Sequence, residues 1–472
     1  MTDKTQVENR SSESEKGMEN RHLLRTLREG ENAMRKQGTI YLPTEKEEPS
    51  EDYEYRKDYK TSLYSGTQKS IEDINNRIFS KEIIFESNNE DFQNLVLNNI
   101  TGSNEGLNEF AKNWNLDAIW NGGTFAVVNF ETGRVSEIEP SVLYIDIDNV
   151  LDMRVDSKGS ISLFKYQVVT QEAVDLFTTE EVSYVYLYYT EGTSVKMKTF
   201  KMVDGQDEYE ELADITLPNQ FNEIPVVGLF PESRFKNLNP DRPYQTMAFK
   251  NKTHWIYNSI YINLVDIASR PFLLAKGFDE RNKTISFGIK SMKVIKSDKA
   301  SIEWIQANTD SATMMRVFLE DIKEEMKMLG SEFLESKQKA MTATEAVINS
   351  ADTSSKANGF AQNLEDALIK IINFMLLWKR MPNEEFTLMV NKNISLSKDK
   401  EAFDIVNALN DKNVISDKDL RLITGSLGYL PSDLTEEEYV ENLEDEGKLF
   451  NNEFITEVKP TGKEVIIEED EE

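Results

Sequence analysis

One stripe of small and apolar residues constrains this chain more than any other feature. It runs through Ala343, Val347, Ser350, Ser354, Ala357, Ala361, Leu364, Leu368, Ile371, Met375 and Trp378. The alternating four-three spacing places all of them on one face of a helix. Thr342 followed three residues later by Glu345 forms a capping box, so the helix is expected to begin there. No proline interrupts it before Pro382. At 1.5 Å per residue, Thr342–Trp378 predicts a rod roughly 55 Å long. Its first half is lined by small residues, which permit close approach, and its second half by large ones, which anchor in a core.

A chain of 472 residues exceeds one simple core, so two to four domains are expected. The formal charge is −30, from 54 basic and 84 acidic residues, and part of the excess lies in a tail ending Glu468, Glu469, Asp470, Glu471, Glu472. So acidic a body argues against a broad, tight grip on nucleic acid, though not against letting it pass. There are no cysteines, which excludes disulfides, thiolate nucleophiles and Cys-ligated metals. The charged first twenty residues do not read as a signal peptide, and the longest apolar run, near Phe374 to Trp378, is far short of a membrane span. A soluble protein without membrane attachment is expected.

Residues 1–52 read as a mobile, polar arm with one short helix at His22–Met34. Tyr55, Tyr59, Leu63, Ile71, Ile74 and Ile78 predict two helices in tandem around Gly66, and a further helix covers Gly106–Trp120. After Gly122-Gly123, β patterns run from Thr124 to Phe230. In one strand Val182, Tyr184, Tyr186 and Tyr188 share a face. Tyr244–Ser269 and Met314–Leu329 read as helices on either side of a compact piece of short strands. A strand at Glu385–Val390 and two short helices, Lys400–Leu409 and Ser416–Ile423, complete the reading.

Catalytic equipment is sparse. His22 falls in the arm and His254 in a helix beside Trp255, and no phosphate loop or nucleophile elbow is present. The best carboxylate pair is Asp146 and Asp148 in YIDIDN; on a strand they share a face that could hold a divalent cation. The plainer reading is the solvated face of an edge strand. Charge distribution is more informative. Arg270, Lys276, Arg281, Lys283, Lys290, Lys293, Lys296 and Lys299 are opposed only by Asp279, Glu280 and Asp298. This segment is either a solvated surface or a docking face for an acidic partner or DNA. Lys337 and Lys339 add two basic residues to the loop before the long helix.

The order helix, small basic β-rich insert, helix, loop, long helix resembles the portal proteins of tailed bacteriophages. Tyr53–Ile78 resembles the family's aromatic-rich helix leading into a Gly-interrupted one. Trp114–Val150 resembles its next block of helix, glycine turn and strands. SRPFLLAKG (Ser269–Gly277) is similar to the family's A-x-P-x-L-x-x-G. TATEA (Thr342–Ala346), LEDAL (Leu364–Leu368) and Trp378 resemble its long helix, and ISDKDLRLITGSLGYLP the short helix pair that follows. The resemblance spans roughly residues 50 to 445 in the family's order.

The resemblance implies an α+β, portal-like fold. Residues 53–239 would be a helical and β wing, 240–269 and 310–330 the two stem helices, and 270–309 a small β-rich clip. Residues 331–342 would form a tunnel loop, 343–399 the long wing helix and a strand, 400–445 a helical crown and 446–472 an acidic tail. It implies a non-enzymatic ring of this chain, with twelve copies as in such proteins, at one vertex of a virion and in the host cytoplasm during assembly. Double-stranded DNA would pass through the channel non-specifically, with Lys337 and Lys339 as phosphate contacts. The clip would meet the large terminase subunit and later a head-completion adaptor, while capsid or scaffolding protein would surround the ring. No cofactor is implied. The alternatives are a virion adaptor or scaffold without a DNA channel, and a metal-dependent enzyme using Asp146 and Asp148.

Overall fold

The computed structural model describes residues 2–131, 139–173, 175, 177–202, 208–232, 237–269, 272–276, 301–305, 310–330 and 343–392. All of them fall in one compact unit, Met1–Ile394. Helices and antiparallel sheets are mixed along the chain. The β region expected between Thr124 and Phe230 divides into two sheets. The larger is a six-stranded antiparallel meander ordered Thr2–Asp3, Glu208–Thr216, Ser194–Met202, Thr179–Glu191, Ile161–Ala173, Val150–Val155. The smaller orders Val226–Leu229, Thr124–Glu131 and Glu139–Ile145. Ile84–Ser87 pairs antiparallel with Phe386–Met389, close to the strand expected there.

The long helix runs Ala343–Trp378 and, at 1.5 Å per residue, spans about 54 Å. Its expected stripe faces the core: Ala357, Ala361, Leu364, Leu368, Ile371 and Met375 are fully buried. Burying each of the larger ones contributes roughly 1.5–3 kcal/mol. Trp378 closes the stripe by donating its indole N–H to the Val128 carbonyl at 3.0 Å and packing 4.5 Å from the Phe221 ring. Residues 343–355 of the helix have a described backbone only, so the close-approach role of the small residues there lies outside the described side chains.

The segment read as a mobile arm is instead a packed helix, Ser12–Glu29. Ser11 caps it by accepting the Ser14 N–H, and the chain turns away at Gly30 with φ +92°. Leu23, Leu24 and Leu27 enter the main core. Gly17 sits so close to residue 238 that a Cβ would lie 2.2 Å from the Leu238 carbonyl oxygen. The tandem helices are Ser50–Tyr59 and Gly66–Ile78. In the first of them the inward residues are Tyr53 and Arg56, whereas Tyr55 and Tyr59, whose spacing predicted the helix, are exposed. Leu107–Asn121 follows and ends at Gly122, whose φ of +79° makes it a left-handed cap before the next strand.

Candidate assembly surface

Gln245–Ala268 and Asp310–Leu329 form a helical hairpin, with Phe272–Lys276 and Ser301–Ile305 paired antiparallel between them. The hairpin is rooted in the unit through one face. Trp255, Met247, Ile322 and Met326 are buried there. The helix Gly66–Ile78 has no side-chain cap of its own, and Asn251 supplies one from the hairpin. Its Oδ1 accepts from Thr67 N–H at 3.3 Å and Thr67 Oγ1 at 3.0 Å, while its Nδ2 donates to the Tyr64 carbonyl at 2.9 Å. Arg56 donates to Ser259 Oγ at 3.0 Å, and Lys60 Nζ reaches Asp266 at 2.6 Å.

The other face points outward and carries exposed apolar residues between charged ones such as Arg316 and Glu320. Met314, Val317 and Phe318 stand at i, i+3, i+4 spacing and are 72%, 47% and 41% exposed. Phe318 meets Tyr257 of the first helix edge-on, with ring centroids 5.0 Å apart. Phe249, Val265 and Met328 are exposed as well. Scattered surface apolars need no explanation, but a cluster shared by two packed helices marks an interaction surface. The sequence hid this face, because an apolar residue at helical spacing reads first as core.

His254 lies on the rooted face, buried against the Tyr64 ring at 5.3 Å, with no hydrogen-bond partner at either ring nitrogen. Burial, helped by the nearby Lys323 charge, pushes its pKa down to about 4, so the ring is neutral at neutral pH. His22 contacts the Tyr41 hydroxyl at 2.5 Å within the packed N-terminal helix, not in a loose arm.

Asp146 and Asp148 do not share a strand face. Asp146 caps a 3-10 turn, Ile147–Asn149, accepting the Asp148 N–H at 2.9 Å, and Asp148 is buried. Their partners are two arginines one turn apart on Ser12–Glu29. Arg21, with no exposed side-chain surface, donates from Nε to Asp148 Oδ1 at 2.7 Å and from Nη1 to the Leu238 carbonyl at 2.9 Å. Arg25 pairs with Asp146, and its Nε lies 2.7 Å from Asp148 Oδ2, off the line for a hydrogen bond. Arg10 donates to the Asp148 carbonyl at 2.7 Å. Burial raises the Asp146 pKa, and the Arg25 charge opposes it. Guanidinium groups already occupy these carboxylates, so the divalent-cation and edge-strand readings both give way to a buried ionic clamp. Arg21 and Arg25 are the partners that sequence reasoning missed; their i, i+4 spacing on one helix face was the available signal.

Of the basic residues singled out between 270 and 299, Lys276 ends a described strand, its backbone opposite Ser301. Arg270, Arg281, Lys283, Lys290, Lys293, Lys296 and Lys299 lie outside the described residues, as do Lys337, Lys339, the two short helices after residue 400 and the acidic tail. No helix among the described residues is long and apolar enough to cross a membrane.

Residues 243–379, from the hairpin to the end of the long helix, match a family model described as a domain of unknown function, DUF4055. No curated protein matches the chain. Among solved structures, a chain from the "Virion of native gene transfer agent (GTA) particle" aligns at 12% identity and a TM-score of 0.40. That alignment covers 86% of this chain and 98% of the other. A chain from the "Neck of native GTA particle computed with C12 symmetry" aligns at 11% identity and a TM-score of 0.38, over 76% and 89% of the two chains. The "Neck of empty GTA particle computed with C6 symmetry" gives 11% identity and a TM-score of 0.38, over 77% and 90%. The chain is thus similar to components of gene transfer agent particles, and its hairpin and long helix fall within the DUF4055 match.

Proposed function

We propose that this chain is a structural subunit of a virion portal, assembling into a closed ring whose centre conducts double-stranded DNA. The observation that carries the reading is the rooted helical hairpin with an outward apolar face on both helices. A monomer gains nothing from such a face, whereas a ring covers it with the next subunit. The tandem order of hairpin, small β pair and 36-residue helix supports the same reading, as does the sequence resemblance to phage portal proteins. In this reading the chain does no chemistry, and twelve copies are the expected ring.

The hairpin would form the stem and the paired strands the base of the clip. The basic residues between 270 and 299 would face the terminase during packaging and a head-completion adaptor afterwards, with capsid protein around the wing. Lys337 and Lys339 would reach DNA phosphate from the tunnel loop. A chain carrying −30 repels phosphate elsewhere, so DNA slides without base readout.

Mass photometry and negative-stain imaging of the purified protein should show rings with a central channel. A monomer or open filament under all conditions would sink the proposal, and a closed oligomer without a channel would favour an adaptor. Met314→Glu with Val317→Glu should shift rings to monomers by roughly a hundredfold in apparent affinity, since each buried charge costs a few kcal/mol. Unchanged ring mass would remove this face from the interface. Lys337→Glu with Lys339→Glu should leave rings intact but cut DNA filling of particles; full heads would count against the loop contact.

A further inference from the structure

The sheet carries an overhang that the ring reading does not use. Ile161–Ala173 and Thr179–Glu191 pair in unbroken register from Leu163↔Tyr189 to Ala173↔Thr179. Their outer neighbours stop early. Val150–Val155 reaches only to Tyr166, and Ser194–Met202 only to Tyr184. Beyond those points the hairpin continues, among the described residues, as a two-stranded ribbon. At 3.3 Å per residue it extends the sheet by about 20 Å. A lone two-stranded ribbon is marginal in water, and this one places Val169 (57% exposed) and Phe177 (94% exposed) in solvent.

The tip is preset. Asp175 Oδ1 accepts the Phe177 N–H at 2.7 Å and the Thr178 N–H at 2.8 Å, which fixes the turn that presents Phe177. The charge around it has one sign. From Gln171 to Glu181 the sequence holds Glu172, Asp175, Glu180 and Glu181 and no lysine or arginine. Glu172 and Glu180 are direct register partners, a like-charge pairing that destabilises a ribbon. Lys201 Nζ, 2.9 Å from Glu172, offsets it on one side.

We infer that this ribbon is a docking prong, with Phe177 seated in an apolar socket rimmed by lysine or arginine on a different protein. The charge decides the occupant. A basic rim relieves the Glu172–Glu180 pairing and covers the phenyl ring, and the excess of 84 acidic over 54 basic residues makes a second copy of this chain the poorer source of one. The inference stands apart from the ring.

The test is the full-length chain with the photocrosslinker p-benzoylphenylalanine in place of Phe177, expressed and illuminated in its native host, with the adduct digested and sequenced. The expected adduct joins position 177 to an apolar peptide flanked by lysine or arginine in another protein. Adding Glu180→Lys and Glu181→Lys should reduce it roughly tenfold while the melting temperature of the purified chain does not fall. An adduct to a second copy, including its basic 270–299 segment, overturns the inference. So does an adduct insensitive to the charge reversal, or none at all. Rings without an adduct sink the prong alone, and an adduct from a chain that stays monomeric sinks the ring alone.

Discussion

Asp148→Asn should lower the unfolding free energy by about 3–5 kcal/mol in urea titrations. Asparagine keeps the shape of the aspartate and removes its charge. Arg21 is then left with no exposed surface, the Leu238 carbonyl and a neutral amide. A guanidinium cannot shed its proton, so its desolvation goes uncompensated. Arg25→Gln should cost far less, about 1 kcal/mol, because the Arg25 side chain is 35% exposed and partly solvated already. Equal losses for the two variants would show that the burial of Arg21 does not set the cost.

Trp378→Ala should cost a further 3–5 kcal/mol, read from thermal or denaturant melts. The indole is 5% exposed, packs tilted against Phe221 at 4.5 Å between ring centroids and donates to the Val128 carbonyl of the smaller sheet. Alanine opens a cavity where helix, sheet and the Phe221 turn meet. Trp378→Phe keeps most of the packing and loses the hydrogen bond, so about 1–2 kcal/mol is expected. A loss under 1 kcal/mol for the alanine variant would show that the helix end is not anchored there.

The elements that showed in the sequence are those whose physics is local. Leu107–Asn121, Gln245–Ala268 and Ala343–Trp378 announce themselves by apolar period and terminal glycine or proline. The N-terminal helix does not, because its inward face includes Ser14, Gly17 and Arg21, which no hydrophobic stripe would flag. Asp146 and Asp148 misled for the same reason: their partners stand more than a hundred residues upstream, and a 3-10 turn breaks the strand that would have aligned them. Tyr55 and Tyr59 mark the helix but not its buried face, since Arg56 turns inward to Glu48 and Ser259. The outward face of the hairpin was not legible, because helical spacing alone does not separate apolar residues that pack inside from those that stay exposed.

The pairing of Ile84–Ser87 with Phe386–Met389 joins segments some 300 residues apart, and Trp378 reaches back 250 residues to Val128. A ribosome delivers the smaller sheet and its flanking helices long before the helix that covers them. Until then the Val128 carbonyl lacks the Trp378 indole, and the strand at Ile84 lacks its partner. Contacts this distant in sequence close slowly and leave apolar surface exposed while they wait. Folding of this unit therefore cannot close until Met389 has been made, and truncation anywhere before it should yield a chain that chaperones hold and proteases find.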